Sequence, residues 1–110
     1  MTSTADSDLA VVLTTLGAGA DAAAFARTLV EERLAACVNV IGPVTSIYRW
    51  NGKVEQDAEQ QLVIKTTIAR LEALEARVKA LHPYDVPEFL VLRAVGGSDA
   101  YLAWVRDSAS

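Results

Sequence analysis

The chain has 110 residues, with 10 Lys and Arg against 14 Asp and Glu, so its formal net charge is −4. A hydrophobic fraction of 52% supports a packed core and excludes global disorder. The single cysteine excludes an internal disulfide and a Cys-x-x-Cys zinc site, and the acidic balance argues against nucleic acid as a partner.

The first part of the chain predicts a tail, a strand and a helix. Residues 1–7 are small, polar and acidic and lack a secretory-signal pattern, so we expect a disordered tail ahead of one cytoplasmic domain, 8–110. The apolar, β-branched run 9–16 predicts a buried strand. Asp21 is placed to cap a helix over 22–36. No apolar run reaches the roughly 20 residues of a membrane span, so no membrane partner is expected.

The middle of the chain predicts a long β-hairpin. Residues 37–50 are rich in β-branched and aromatic side chains, and Gly42-Pro43 within them predicts a bulge because proline cannot donate to the ladder. Asn51-Gly52 is a strong signal for a type I′ turn, and 53–67 is the returning strand. At about 3.3 Å per residue such strands reach roughly 40 Å, so the outer half must project from a domain of this size.

The rest of the chain completes an α+β fold. Apolar spacing over 69–81 predicts a helix that ends before Pro83, and 88–95 predicts a fourth strand. Ser98 is placed to cap a short last helix. The order β-α-β-β-α-β plus a C-terminal helix is that of a ferredoxin-like sandwich, with two helices on one face of an antiparallel sheet. The other face is left bare and is expected to need a partner.

Aromatic side chains are concentrated on the outer hairpin and the last helix. Tyr48 and Trp50 alternate on one face near the hairpin tip, and an isolated hairpin of this kind is marginal in water. We expect them, with Tyr101 and Trp104, to lie between subunits of a closed ring. The alternative is that the hairpin aromatics fold back onto their own sheet.

Residues with metal-binding chemistry are dispersed along the chain. They are Cys37 at the start of a strand, the single histidine His82 at the end of a helix, and the carboxylates Glu59 and Glu88. Thiolate, imidazole and carboxylate together suit a borderline or soft transition metal. Each residue also has a structural interpretation, as a buried thiol, a helix-end cap or a solvated carboxylate.

Five runs, in order along nearly the whole chain, resemble the CutA family of divalent-cation tolerance proteins. They read LVEERLAACVN (29–39), VTSIYRWNGK (44–53), IKTT (64–67), HPYDVPE (82–88) and YLAW (101–104). The resemblance implies a ferredoxin-like, cytoplasmic homotrimer that binds or responds to divalent metals, copper above all, without catalysis or an obligatory cofactor. It also implies a copper site at Cys37, Glu59, His82 and Glu88.

Other functions stay open from the residues alone. A regulatory module similar to PII proteins would bind a small metabolite or anion between subunits, although the long sensing loop of those proteins is replaced by the Asn51-Gly52 turn. An anchoring trimer would recruit other proteins. A small enzyme would use His82 with Tyr84 or Asp85 for proton transfer, but the common nucleotide-binding and hydrolase motifs are absent from the sequence.

Overall fold

A computed structural model of the chain describes residues 8–110, together with the backbone of a two-residue strand ahead of them. The expected disordered tail, 1–7, otherwise lies outside the described residues. The elements are β1 (Thr2–Ser3), β2 (Leu9–Gly17), α1 (Ala22–Glu31), β3 (Cys37–Trp50), β4 (Lys53–Thr67), a 3-10 turn (Ile68–Arg70), α2 (Leu71–Leu81), β5 (Leu90–Arg93), β6 (Gly97–Ser98) and α3 (Asp99–Ser108). The predicted α+β class is confirmed.

The main sheet has four antiparallel strands in the order β3-β4-β2-β5. The short strands β1 and β6 pair separately. The chain therefore runs β-α-β-β-α-β through the main sheet, as predicted, and α3 follows at the end. In the part of the chain that the structure describes, no helix has the length and apolar character needed to cross a membrane.

Helices α1 and α2 cover one face of this sheet. Alternate side chains of β2 and β4 point to the same side, which is why their apolar residues meet the helices as one layer. The fully buried members of this core are Val12, Leu29, Ala35, Leu62, Ile64, Leu74 and Val78. Burial of each large apolar side chain contributes about 1.5–3 kcal/mol. This layer holds the strands in place beneath the loop that follows α2.

The second face of the sheet is covered only at one end. There, Leu102 and Val105 of α3 pack with Leu9 in a separate small core. Further along the same face, Leu90 and Leu92 of β5 are 53% and 47% exposed. The predicted bare face is confirmed for this part of the sheet.

The central hairpin projects as expected. Residues 53–58 of β4 pair with β3 alone, whereas the rest of β4 also pairs with β2. Ile41 lies opposite Gln61 and Val44 opposite Glu59, so β3 carries one extra residue at the predicted bulge. The turn residues Asn51 and Gly52 have φ values of 50° and 77°, which agrees with a type I′ turn.

The predicted helix over 22–36 is wrong in its C-terminal part. Helix α1 ends at Glu31, and Arg33 adopts a left-handed φ of 60° that turns the chain out of the helix. The backbone N–H of Ala36 then donates to the carbonyl of Lys65 at 2.8 Å, which starts the β3 ladder. The long-range pairing with β4 therefore overrides the helix propensity of the alanines. The fourth main-sheet strand is also shorter than predicted and spans only Leu90–Arg93.

Candidate functional site

A cavity of about 920 Å³ lies between the outer hairpin and the loop that follows α2. The hairpin contributes residues from both of its strands, and the loop contributes Pro83, Tyr84, Asp85, Val86 and Glu88. Four carboxylates line it: Asp57, Glu59, Asp85 and Glu88. No Lys, Arg or His of the described residues belongs to the lining. The cavity is therefore strongly acidic.

Glu59 is the most enclosed of these carboxylates. It lies on β4 opposite Gly17 and Val44, just beyond the bulge, and is only 8% exposed. Its Oε2 accepts a hydrogen bond from the phenol of Tyr84 at 3.1 Å. Its Oε1 has no hydrogen-bond or ion-pair partner among the described residues. A mostly buried carboxylate without a counter-cation is costly, and this one retains an oxygen for a ligand.

Glu88 faces the same cavity from the segment before β5. Partial burial raises the pKa of its carboxyl, and the negative charge of Glu59 raises that pKa further. Burial and the hydrogen bond to Glu59 likewise raise the pKa of the Tyr84 phenol. Two carboxylates are thus close enough to repel each other, and a bound cation would relieve that repulsion.

The hairpin wall of the cavity carries a second tyrosine–carboxylate pair. The hydroxyl of Tyr48 donates to the Asp57 carboxylate. This hydrogen bond is the main cause that raises the pKa of Tyr48 to about 12. The side chain of Trp50 also lines the cavity and is 50% exposed.

His82 is a structural support for the loop. Its Nδ1 accepts a hydrogen bond from the backbone N–H of Tyr84 at 3.2 Å, so Nδ1 carries no proton. Its Nε2 therefore donates to the carbonyl of Thr15, 2.6 Å away. The ring also stacks edge-on against Phe25. Because both ring nitrogens are occupied, His82 offers no lone pair to a metal in this conformation.

Cys37 lies far from the cavity. It starts β3 opposite Lys65, six positions along β4 from Glu59, which corresponds to about 20 Å. Its thiol is free and partly exposed. Among the described residues, no group of three or more His, Cys, Asp or Glu is placed to hold a metal ion. Of the four expected ligands, Glu59 and Glu88 of one chain line the same cavity. His82 lies against Tyr84 outside the lining, and Cys37 lies away from the other three.

The residues expected between subunits are all surface-exposed in the single chain. Tyr101 and Trp104 lie together on α3, with their ring centroids 5.6 Å apart. Tyr48 and Trp50 line the cavity between the outer hairpin and the loop that follows α2.

The tyrosine partners of Asp57 and Glu59 were not predicted from the sequence. Counting outward from the Asn51-Gly52 turn places Ser46 opposite Asp57, which already puts Tyr48 on the same face as Asp57. No comparable signal links Tyr84 to Glu59, because they meet only through the packing of the loop against the sheet.

The chain is similar to known proteins over most of its length. A family model described as CutA1 divalent ion tolerance protein matches residues 10–108. The divalent-cation tolerance protein CutA of Thermus thermophilus is 50% identical over 98 residues, covering 89% of this chain and 95% of that protein. The chloroplastic protein CutA of Arabidopsis thaliana is 49% identical over 83 residues, covering 76% of this chain. The match spans 46% of that plant protein's length.

Solved structures show the same fold. The structure of the Thermus thermophilus divalent cation tolerance protein superposes with a TM-score of 0.89 at 48% identity, covering 93% of this chain and 99% of that one. CutA from Synechococcus elongatus superposes with a TM-score of 0.92 at 40% identity, covering 100% and 96%. The likeness therefore extends over the hairpin, the sheet and all three helices.

Proposed function

The chain belongs to the CutA1 family of divalent ion tolerance proteins, and from this membership and the acidic cavity we propose that it binds divalent metal ions as a homotrimer, without catalysis. Copper(II) is the ion we expect. The observation that carries the proposal is the pair Glu59 and Glu88, in which one carboxylate is nearly buried and the other is held close enough for its pKa to respond. A divalent cation between them would replace repulsion by attraction.

The donors of the cavity fit a divalent ion through oxygen atoms. Oε1 of Glu59 and the carboxylate of Glu88 would hold the metal, and the phenol of Tyr84 keeps Glu59 oriented. Copper(II) stands at the top of the general affinity order for divalent first-row metals at such ligands, so it needs no soft donor. Cys37 and His82 are not part of this site, for the reasons of position and hydrogen bonding given above.

Association of three chains is supported by the surface that one chain leaves open. Leu90 and Leu92 expose apolar area on the second sheet face, and Tyr101 and Trp104 expose a further apolar pair on α3. Exposed apolar patches of this kind mark contact surfaces. The outer edges of β3 and β5 also have strand neighbours on one side only, and a closed ring would cover them.

We propose that the protein is not catalytic because both ring nitrogens of its histidine are engaged in hydrogen bonds. His82 is the only histidine in the sequence, and both of its ring nitrogens are hydrogen bonded to the backbone. It is therefore not free to carry a proton to or from a substrate. In this proposal, the carboxylates of the cavity act as metal ligands.

Calorimetric titration with copper(II) tests the metal proposal. We expect Glu59→Gln and Glu88→Gln each to weaken binding by roughly tenfold or more, since loss of even an outer-shell partner costs 10- to 100-fold. Cys37→Ser is the matched control and is expected to leave the affinity unchanged. The site would be contradicted if both glutamine variants bound copper(II) as tightly as the unmodified chain, or if Cys37→Ser lost binding.

A further inference from the structure

Tyr84 is held at both of its ends. Its backbone N–H donates to Nδ1 of His82 at 3.2 Å, and the two rings lie against each other with their centroids 4.6 Å apart. The phenol at the far end of the side chain donates to Oε2 of Glu59 at 3.1 Å. His82, Tyr84 and Glu59 therefore form one continuous set of contacts within a single chain, whatever surface the neighbouring subunits cover.

His82 is itself fixed on the sheet and on α1. It is only 7% exposed, its Nε2 donates to the carbonyl of Thr15 at 2.6 Å, and its ring meets Phe25 edge-on. Thr15 lies two positions beyond Leu13, the last residue of β2 that pairs with β5. The histidine thus ties the loop to β2 at a point that β5 does not reach.

The two hydrogen bonds of His82 have opposite directions. A backbone N–H can only donate and a carbonyl oxygen can only accept, so Nδ1 is the acceptor for Tyr84 and Nε2 is the donor to Thr15. Each ring nitrogen therefore has one task. Loss of Nδ1 alone would release the backbone of Tyr84 while the bond to β2 persists.

The position of Tyr84 decides which oxygen of Glu59 is available. Gly17 and Glu59 are paired across β2 and β4, and a methyl group at Gly17 would lie 3.6 Å from the hydroxyl oxygen of Tyr84. The phenol is thus seated against this strand pair. It engages Oε2 and leaves Oε1 without a partner among the described residues. Hydrogen-bond partners of a ligating carboxylate orient it and tune its affinity for a metal.

We propose that His82 is a positioning residue of the metal site: its Nδ1 holds the backbone of Tyr84, so that the Tyr84 phenol engages one oxygen of Glu59 and leaves the other to the ion. This inference rests on the metal binding proposed above and deepens it. In this role His82 acts through Tyr84 and is not itself a ligand.

Two amide variants separate the tasks of the two ring nitrogens. In His82→Asn the amide oxygen can take the position of Nδ1, and in His82→Gln the amide nitrogen can take the position of Nε2. By calorimetry with the full chain, His82→Gln is expected to weaken copper(II) binding about tenfold, whereas His82→Asn should stay within about twofold of the unmodified chain. Unchanged affinity in His82→Gln, or an equal loss in both variants, would overturn the proposal.

A double variant tests whether His82 acts through the Tyr84 hydroxyl. Tyr84→Phe keeps the ring, removes the hydroxyl and is expected to weaken copper(II) binding about tenfold. His82→Gln should then cause no further loss in the Tyr84→Phe background, because the contact through which it acts is already gone. Losses that add up in the double variant, or unchanged affinity in Tyr84→Phe, would overturn the proposal. The second of these outcomes decides the matter even if substitutions at the buried His82 prevent folding.

Nuclear magnetic resonance of carbon-13-labelled tyrosine, recorded without metal, separates this inference from the metal proposal. The chain has three tyrosines, and the Tyr84 signal is identified by its absence in Tyr84→Phe. The Tyr84 Cζ shift is expected to move in His82→Gln and in Glu59→Gln, since both disturb the phenol's hydrogen bond, and to stay in place in His82→Asn. Failure of the unmodified chain to bind copper(II) would refute the metal site, whereas an unmoved Tyr84 signal in His82→Gln would refute the positioning role.

Discussion

Two threonine hydroxyls are fully buried under the helices, and only one of them has a partner. Thr66 donates its hydroxyl to the carbonyl of Leu34 at 2.7 Å, which secures the segment between α1 and β3. The hydroxyl of Thr14 has no hydrogen-bond partner among the described residues. A buried polar group without a partner destabilises the folded state because it gave up its bonds to water. At equal burial, the hydroxyl of Thr66 therefore stabilises the folded state and that of Thr14 destabilises it.

Replacing Thr14 by valine is expected to stabilise the protein. The valine keeps the shape of the side chain and removes the unpaired hydroxyl, so the free energy of unfolding should rise by about 1 kcal/mol. Urea denaturation followed by circular dichroism measures it. Thr66→Val is the matched control and should lower the free energy of unfolding by about 1–3 kcal/mol, since it leaves the Leu34 carbonyl unpaired. A loss of stability in Thr14→Val would contradict this account.

At the scale of elements, the central hairpin positions one wall of the cavity. The bulge at Gly42-Pro43 shifts the pairing by one residue, which places Val44 opposite Glu59. The turn at Asn51-Gly52 then sets the register of every pair out to the tip, including Ser46 with Asp57. A change in either feature would move Asp57 and Glu59 relative to the loop that carries Tyr84.

The turn glycine is expected to be sensitive to any side chain. Gly52 has a φ of +77°, so Gly52→Ala should lower the free energy of unfolding by about 1 kcal/mol through backbone strain, although no atom would clash with the added Cβ. Gly19→Ala is the control, because that glycine also has open space but no positive φ. Thermal denaturation of both variants checks this. Equal melting temperatures would show that the left-handed backbone is not the source of the effect.

At the scale of the whole molecule, the two faces of the main sheet differ in how far helices cover them. Helices α1 and α2 pack on the first, whereas α3 covers only an end of the second. The molecule is elongated, with a long axis of 46 Å and short axes of 26 and 23 Å. Leu90 and Leu92 are exposed on the part of the second sheet face that α3 does not cover. In the proposed trimer, this face becomes part of the core between subunits.

A charged side chain on the second face of the sheet is expected to dissociate the proposed trimer. Light scattering on the unmodified chain should give about 35 kDa, three times the 11.8 kDa of one chain. Leu92→Lys should shift the mass toward a single chain, because a buried, unpaired ammonium group opposes association. Val30→Lys, at an apolar residue of α1 that is 40% exposed, should keep the trimer. A single-chain mass for the unmodified protein would refute the assembly.

The elements were largely predictable because their signals are local. Both hairpin strands and the turn between them depend on neighbouring residues, and they were predicted with the bounds that the structure shows. The end of α1 was not, because the residues from Arg33 to Ala36 favour helix locally and leave it only to pair with β4. A contact with a strand about thirty residues later has no signature in a short window of sequence.

The candidate site was predictable only in part. Glu59 and Glu88 were expected to share a site, and the structure places them on one cavity. The resemblance grouped Cys37 with them, but the register of β3 on β4 places it about 20 Å away. The hydrogen bonds of His82 to Thr15 and Tyr84 depend on the path of the loop, which two prolines stiffen but do not direct.

By itself, the sequence determined the family, the order of the elements, the projecting hairpin and the acidic character of the chain. The family follows from the resemblance of five sequence runs to CutA proteins, and the other features follow from composition, periodicity and turn signals. Only the tertiary structure decided that Tyr84 meets Glu59 and that Cys37 lies apart from both. The reason is physical: these contacts join residues that are distant in the chain, and their distances are set by sheet order, the bulge and the packing of one loop.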